Sequence, residues 1–301
     1  LRLLECTSYN RAASGGLSNE ILKMAHRDFN GLAPVWNFVR TSDDPLILSL
    51  ETTTRAGSLA LMRGSRSLSA RAGDAQVSHS TDLLENIRAV LMQAGHTLND
   101  VDLFAVANGP GSFTGLRIGV ATAKAFAATL SRPVIGVPTL YAVALSAGPS
   151  SCTLAMIPAG RGEVFGQLLA VSTGGVAQPL NDPVHLPPKN LLAGLSARRE
   201  LTLAGEAVKL YMDEISAYAR LQGISLDSES GPKAGSTVEK SLNTWMLVPE
   251  IENLAFTIAV EASRLFKSGE TGNPEELRAI YVRPSDAELN EQCPEQNQPA
   301  G

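Results

Sequence analysis

Short apolar runs separated by polar, glycine-bearing turns alternate with segments of helical period along this chain. The first apolar run, LILSL from Leu46, predicts a buried strand. ETTTRAG follows as a polar turn and SLALM as a second strand, so the three read as a hairpin. A third strand is expected near Ser67 to Arg71. In HSTDLLENIRAVLMQAG the apolar residues Leu83, Leu84, Ile87, Val90, Leu91 and Ala94 share one helical face. Ser80 or Thr81 is the expected cap of that helix, and Gly95 its stop.

The centre of the pattern is LFAVANGPGSFTGLRIGVATAKAFAATL, from Leu103 to Leu130. Leu103 to Ala107 reads as a buried strand, and Asn108 to Ser112 break the chain with glycines at 109, 111 and 115. From about Thr114 a helix is predicted, with Leu116, Gly119, Val120, Ala123 and Ala127 at helical spacing. A helix start behind such a turn can hold an anion. The spacing G-x-G-x-x-x-G is one residue longer than the dinucleotide fingerprint, and the other reading is tight packing of a turn on a neighbouring backbone. Gly119, Ala121, Ala123, Ala125 and Ala127 favour close helix approach, in a buried interface or in a core.

Downstream, PVIGVPTLYAVALSAG predicts a strand and a helix, CTLAMIP a strand, and PAGRGEVFGQLLAV a turn into a long strand. The expected division is a first lobe over 45–157 and a second, proline-dotted lobe over 158–289. Within the second, LTLAGEAV reads as a strand and turn, and 213–247 as a polar, flexible surface insert. Pro249 is expected to open a helix through IENLAFTIAVEASRLFKSG, and LRAIYVRPSDAELN to form a last strand. Residues 1–44 lack a sustained period and 290–301 are polar, so both are expected to be poorly ordered.

Composition narrows the function classes. The chain has 301 residues, 44% hydrophobic and 18% charged, with a formal net charge of −5. That balance argues against a protein that grips nucleic acid unaided, because phosphate binding rests on clustered Lys and Arg. Cys6, Cys152 and Cys293 have neither disulfide nor zinc spacing and fit a reducing cytoplasm. No apolar stretch reaches membrane-spanning length, and the start lacks a secretory h-region. The sequence therefore predicts a soluble, cytoplasmic protein. Chemistry is sparse: HExxH, CxxC and GxxxxGK[ST] are absent, and no nucleophile and base are locally paired. His79, at a helix start, can cap or bind metal, but a lone histidine there reads as structural.

NGPGSFTGLRIG, followed by AKAFA and PVIGVPTL, resembles the TsaB family (also known as YeaZ), with similarity running, with gaps, from about Leu46 to Arg283. The resemblance implies an α/β, actin/Hsp70-like (ASKHA) two-lobed fold, with mixed sheets flanked by helices. It marks Glu51, Thr52, Thr53 and Thr54 as the remnant of that superfamily's first phosphate loop, against an ordinary threonine-rich hairpin turn. The catalytic relative TsaD holds a metal through two histidines, whose positions fall here on Thr139 and Val143. The family's D-A-R turn is replaced by Pro158-Ala159-Gly160. These departures imply a member with no catalytic residue, no metal ligand and no resident cofactor, acting as a scaffold for TsaD in threonylcarbamoyl transfer to the adenosine next to the anticodon of tRNA. The implied interface is the helices Ser80–Ala94 and Gly115–Leu130, with Leu84, Ile87, Leu91, Leu116, Gly119 and Ala123 as its residues. The implied partners are TsaD, the ATPase TsaE on the assembled pair, a second copy when alone, and tRNA only through the complex, with no membrane contact. The alternatives are a stand-alone nucleotide phosphohydrolase, a peptidase or a sugar kinase, for which Glu51 is the available acid near the first loop.

Overall fold

The structure is a computed structural model that describes residues 44–282, apart from 74–78, 196–197, 199, 229–242, 249–250, 252 and 271. The expected extension 1–44 (save Asp44), the side chain of His79, Cys6, Cys293 and the expected tail 290–301 lie outside the described residues.

The chain opens with a hairpin of β1 (Leu46–Glu51) and β2 (Ser58–Arg63), followed by β3 (Arg66–Ala72) and α1 (His79–Gln93). β4 (Leu103–Ala107) leads through the glycine-rich turn into α2 (Phe113–Leu130), then β5 (Val134–Val137) and α3 (Thr139–Ser146). The second half contains β6 (Ser150–Gly160), β7 (Glu163–Val171), β8 (Ala177–Pro179), β9 (Val184–Leu186) and α4 (Pro188–Ala193). It continues with β10 (Glu200–Ala204), α5 (Glu206–Leu210), α6 (Met212–Gln222), β11 (Ser225–Asp227), β12 (Thr244–Val248) and α7 (Leu254–Lys267).

Two mixed sheets result. The first has the order β3-β2-β1-β4-β5, with β1, β4 and β5 parallel and β2 and β3 antiparallel. The second has the order β11-β12-β10-β6-β7-β8, with β9 also pairing β7. This is the two-lobed α/β, actin-like plan that the resemblance implies.

Side-chain alternation explains why both sheets are covered on both faces. In β1, Leu46, Leu48 and Leu50 point to one core with α1 and α2, whereas Ile47 joins the other core. That second core runs from the first sheet through α7 and α3 to Ala155, Ile157 and Leu169 of the second sheet. The far side of the second sheet packs Leu154, Met156, Leu203 and Trp245 against α4, α5 and α6. Strands apolar on both faces suit such burial. At the edge of the first sheet, β3 carries Arg66 and Arg71, exposed charges that discourage edge pairing.

Six expectations change. β6 belongs wholly to the second sheet and starts at Ser150, so the lobe boundary precedes 157, while α7 returns to the first sheet. Pro158 lies inside β6 opposite Val164, and the reversal is at Arg161 and Gly162, both with positive φ, as tight hairpins require. The stretch 213–247 is not a surface insert throughout: it supplies most of α6, all of β11 and most of β12. Its polar stretch hid β12, where Trp245 and Leu247 alternate with half-buried residues. α7 starts at Leu254 behind Asn253, not at Pro249. Residues 277–282 form no strand; isolated hydrogen bonds tie them to Asn108 and Lys124, and 283–290 lie outside the described residues. α1 also begins at His79, ahead of both expected caps.

Trp245 shows how much rests on the misread stretch. It is fully buried, stacks on Tyr218 at 5.9 Å, and donates from Nε1 to the Arg198 carbonyl at 3.1 Å. Trp245→Ala is expected to cost about 3–5 kcal/mol, read as a lowered midpoint in chemical denaturation; an unchanged midpoint would contradict this packing.

Candidate functional site

The loop between β1 and β2 closes on Glu51. Its Oε1 accepts from the Thr53 amide at 2.6 Å, the Thr53 hydroxyl at 2.7 Å and the Thr54 amide at 2.8 Å. Its Oε2 accepts from the Thr54 hydroxyl at 2.6 Å, and Thr54 Oγ1 in turn accepts from the Gly57 amide. Glu51 is 1% exposed, so these short bonds compensate a carboxylate taken out of water. The donors that a phosphate would need are already held by the loop's own acid.

Around this clasp three elements converge. Thr52 Oγ1 donates to the Gly115 carbonyl at 2.7 Å, the Ser112 amide donates to the Thr53 carbonyl at 2.8 Å, and Thr139 Oγ1 donates to Thr53 Oγ1 at 3.1 Å. A Cβ on Gly115 would strike the Thr52 carbonyl, and one on Gly119 would strike the Thr52 hydroxyl. The glycines therefore let α2 lie directly on the first loop. Of the two readings of the glycine pattern, this geometry is tight backbone packing. Ser112 caps the helix by accepting from the Gly115 amide at 3.3 Å.

Thr139 thus faces the first loop, while Val143 is buried in the core with an apolar side chain. From the second lobe Glu206 accepts a hydrogen bond from the Arg55 amide. Desolvation raises its carboxyl above the ordinary glutamate range, the charge of Glu51 adds to this, and the Arg55 amide and guanidinium oppose it. Among the described residues no group of three or more His, Cys, Asp or Glu is placed to hold a metal ion. Burial pushes the Cys152 thiol up, against the Arg198 guanidinium, which donates to Sγ at 3.1 Å. A protonated, buried thiol is a poor nucleophile.

The six interface candidates separate sharply. Leu84 is 63% exposed, but Ile87, Leu91, Leu116 and Ala123 are buried in the lobe's own core, and Gly119 is buried against Thr52. Those five are corrected to core positions, because the face that α1 and α2 turn to the sheet takes the larger share of their apolar residues. Met92, 65% exposed and two turns beyond Leu84, was missed. Leu84, Arg88 and Met92 form an outward line on α1, and Ala121, Ala125 and Ala128 an outward stripe of small residues on α2. The sequence signal for Met92 was its i+8 spacing from Leu84.

Comparison with known proteins adds relatives. A family model described as "TsaD: tRNA N6-adenosine threonylcarbamoyltransferase" matches residues 73–214. The Escherichia coli protein "tRNA threonylcarbamoyladenosine biosynthesis protein TsaB" is 35% identical over 122 residues, covering 40% of this chain and 52% of that protein. An uncharacterized Mycobacterium tuberculosis protein is 32% identical over 165 residues, covering 52% of this chain and 74% of its own length. The chain belongs to one family with that mycobacterial protein and is similar to proteins of the TsaB/YeaZ family. It spans about half the length of the curated TsaB relatives that it matches. YeaZ from Pseudomonas aeruginosa shares its fold with this chain: TM-score 0.58, 23% identity, covering 79% of this chain and 99% of that one. No helix among the described residues is long and apolar enough to cross a membrane.

Two measurements check the clasp. Glu51→Ala leaves buried donors without their acceptor and is expected to cost roughly 2–4 kcal/mol of unfolding free energy; a neutral effect would mean that the carboxylate does not shape the loop. For Glu206 the folded pKa is raised, so the folded state binds the proton more tightly. Its contribution is most favourable in acid and is lost as pH rises through the folded value. Glu206→Gln should therefore gain stability over wild type at neutral pH and converge with it below about pH 4. Much of the side chain is open to solvent, so the gain is small.

Proposed function

We propose that this chain is a non-catalytic partner of TsaD, supporting threonylcarbamoyl transfer to the adenosine next to the anticodon of tRNA in the cytoplasm. The observation that carries the reading is the outward face of α1 and α2, where Leu84 and Met92 stand exposed beside a stripe of small residues. Exposed large apolar side chains aligned on one helix, next to a helix that a neighbour can approach closely, suit a helical partner surface. The names of the TsaB relatives point to the same pathway.

The first loop supports the non-catalytic part. A phosphohydrolase or kinase needs free donors and an available acid at this position, whereas Glu51 is buried and bonded within its own loop. Thr139 bonds to Thr53 and Val143 packs in the core, so neither offers an imidazole to a metal. A peptidase requires an activated nucleophile, and Cys152, the described cysteine, is buried with a raised pKa. In the proposed scheme a second copy uses the same face when TsaD is absent, and TsaE acts on the assembled pair.

The test is charge on that face. Leu84→Glu with Met92→Glu leaves the monomer folded, because both side chains already meet solvent. Burying two unpaired charges in an apolar contact costs several kcal/mol, enough to abolish a micromolar complex. The expected result is a protein with wild-type circular dichroism that no longer co-purifies with TsaD or self-associates. A variant that assembles normally places the interface elsewhere.

A further inference from the structure

At the start of α2, three side chains from distant parts of the chain make an exposed cluster. Phe113, the first residue of α2, is 37% exposed, and Tyr281 is 47% exposed. Their ring centroids are 5.5 Å apart at 46°. The Arg117 guanidinium carbon lies 3.8 Å from the Phe113 centroid, and Arg117 Nε donates to the Tyr281 hydroxyl at 3.3 Å. The segment bearing Tyr281 is tied down on either side of Asn108: the Ile280 amide donates to the Asn108 carbonyl at 2.7 Å, and Asn108 Nδ2 donates to the Arg278 carbonyl at 3.2 Å. Lys124 Nζ adds a bond to the Leu277 carbonyl at 3.2 Å. The rings are thus held in place without being buried.

We propose that Phe113, Arg117 and Tyr281 form a stacking platform for an unpaired nucleobase of RNA. This rests on the reading of the chain as a subunit in tRNA modification, and it adds a direct RNA contact to that reading. Aromatic faces and guanidinium planes are the groups on which splayed-out bases stack. Pre-ordering of the rings lowers the entropic cost of that contact.

The surroundings favour RNA over a protein partner. Ring anchors of protein interfaces sit in desolvated, apolar centres. Here the neighbours along the chain are the exposed Ser112, Thr114 and Arg278, and the apolar residues Leu84 and Met92 lie on another helix. α2 carries Arg117 and Lys124 and no acidic residue, and its positive end is at Phe113. The segment's acids, Glu275 and Glu276, precede the Leu277 anchor, and Glu276 accepts from Asn273. A chain of net charge −5 thus has a local cationic, aromatic end on the lobe whose outer face is proposed for TsaD.

The experiment compares wild type, Tyr281→Ala, Tyr281→Trp and Arg117→Gln in two settings. In the first, each is assembled with TsaD, assembly is scored by gel filtration, and binding of labelled unmodified tRNA is titrated. Tyr281→Ala and Arg117→Gln are expected to weaken tRNA binding about tenfold with assembly unchanged, while Tyr281→Trp retains it. Unchanged tRNA affinity overturns the platform. Loss of assembly also overturns it and makes the cluster a protein contact. In the second, a labelled single-stranded oligoribonucleotide is titrated into each chain alone, followed by anisotropy. Weak, salt-sensitive binding that is lost in Tyr281→Ala and kept in Tyr281→Trp supports the platform even if wild type fails to assemble with TsaD, a failure that would sink the partner reading alone. An oligoribonucleotide affinity equal across the four proteins overturns the platform in that setting too.

Discussion

The carboxylate of Glu51 is the fixed point on which the rest of the first lobe is built. Burying a carboxylate is costly unless hydrogen bonds replace its water, and here four donors from Thr53 and Thr54 do so. The loop then has one shape, and that shape presents Thr52 to α2 and Thr53 to both the glycine-rich turn and α3. Three helix or strand ends far apart in sequence meet on six residues of loop. The glycines of α2 follow from this: a side chain at 115 or 119 would displace the threonine that seats the helix.

The same clasp takes up donors that an open phosphate loop would leave for an anion. A phosphate loop works by offering unpaired amides to an anion. In this loop the amides of Thr53 and Thr54 are bonded to Glu51, and that of Arg55 to Glu206 of the other lobe. Carboxylates occupy the donors, and their charge repels a second anion. The features with unspent interaction energy lie instead on the outer helices, where Leu84, Met92 and the Phe113–Arg117–Tyr281 cluster meet solvent.

Local pattern was enough for much of the architecture. The strand–turn–helix from Leu103 to Leu130, the first hairpin and the α1 period are all carried by residues within a few positions of one another, and each is found in the structure. Helical and two-residue periods report an apolar face directly, so the apolar faces of both helices were visible. The place of β12 was not, because a five-residue strand with partial alternation sits beside polar sequence and draws its stability from parallel partners β10 and β11. Residues 277–282 read as a strand because Ile280, Tyr281 and Val282 favour one, yet the segment's hydrogen bonds go to a turn and to Lys124 rather than to a sheet edge.

The sequence by itself determined an α/β chain with a threonine loop, a glycine-rich turn and two amphipathic helices, and its resemblance to a known family implied the two-lobed plan. Helical period distinguishes an apolar face from a polar one, but not a face turned to the sheet from a face turned to a partner. Only the tertiary structure decided that Ile87, Leu91, Leu116, Gly119 and Ala123 belong to the core and that Leu84 and Met92 stand outside it. Tyr281 reaches Arg117 across 164 residues of chain, and a contact of that span leaves no trace in spacing or composition. It exists because α7 packs back on the first sheet and delivers the following segment to the start of α2.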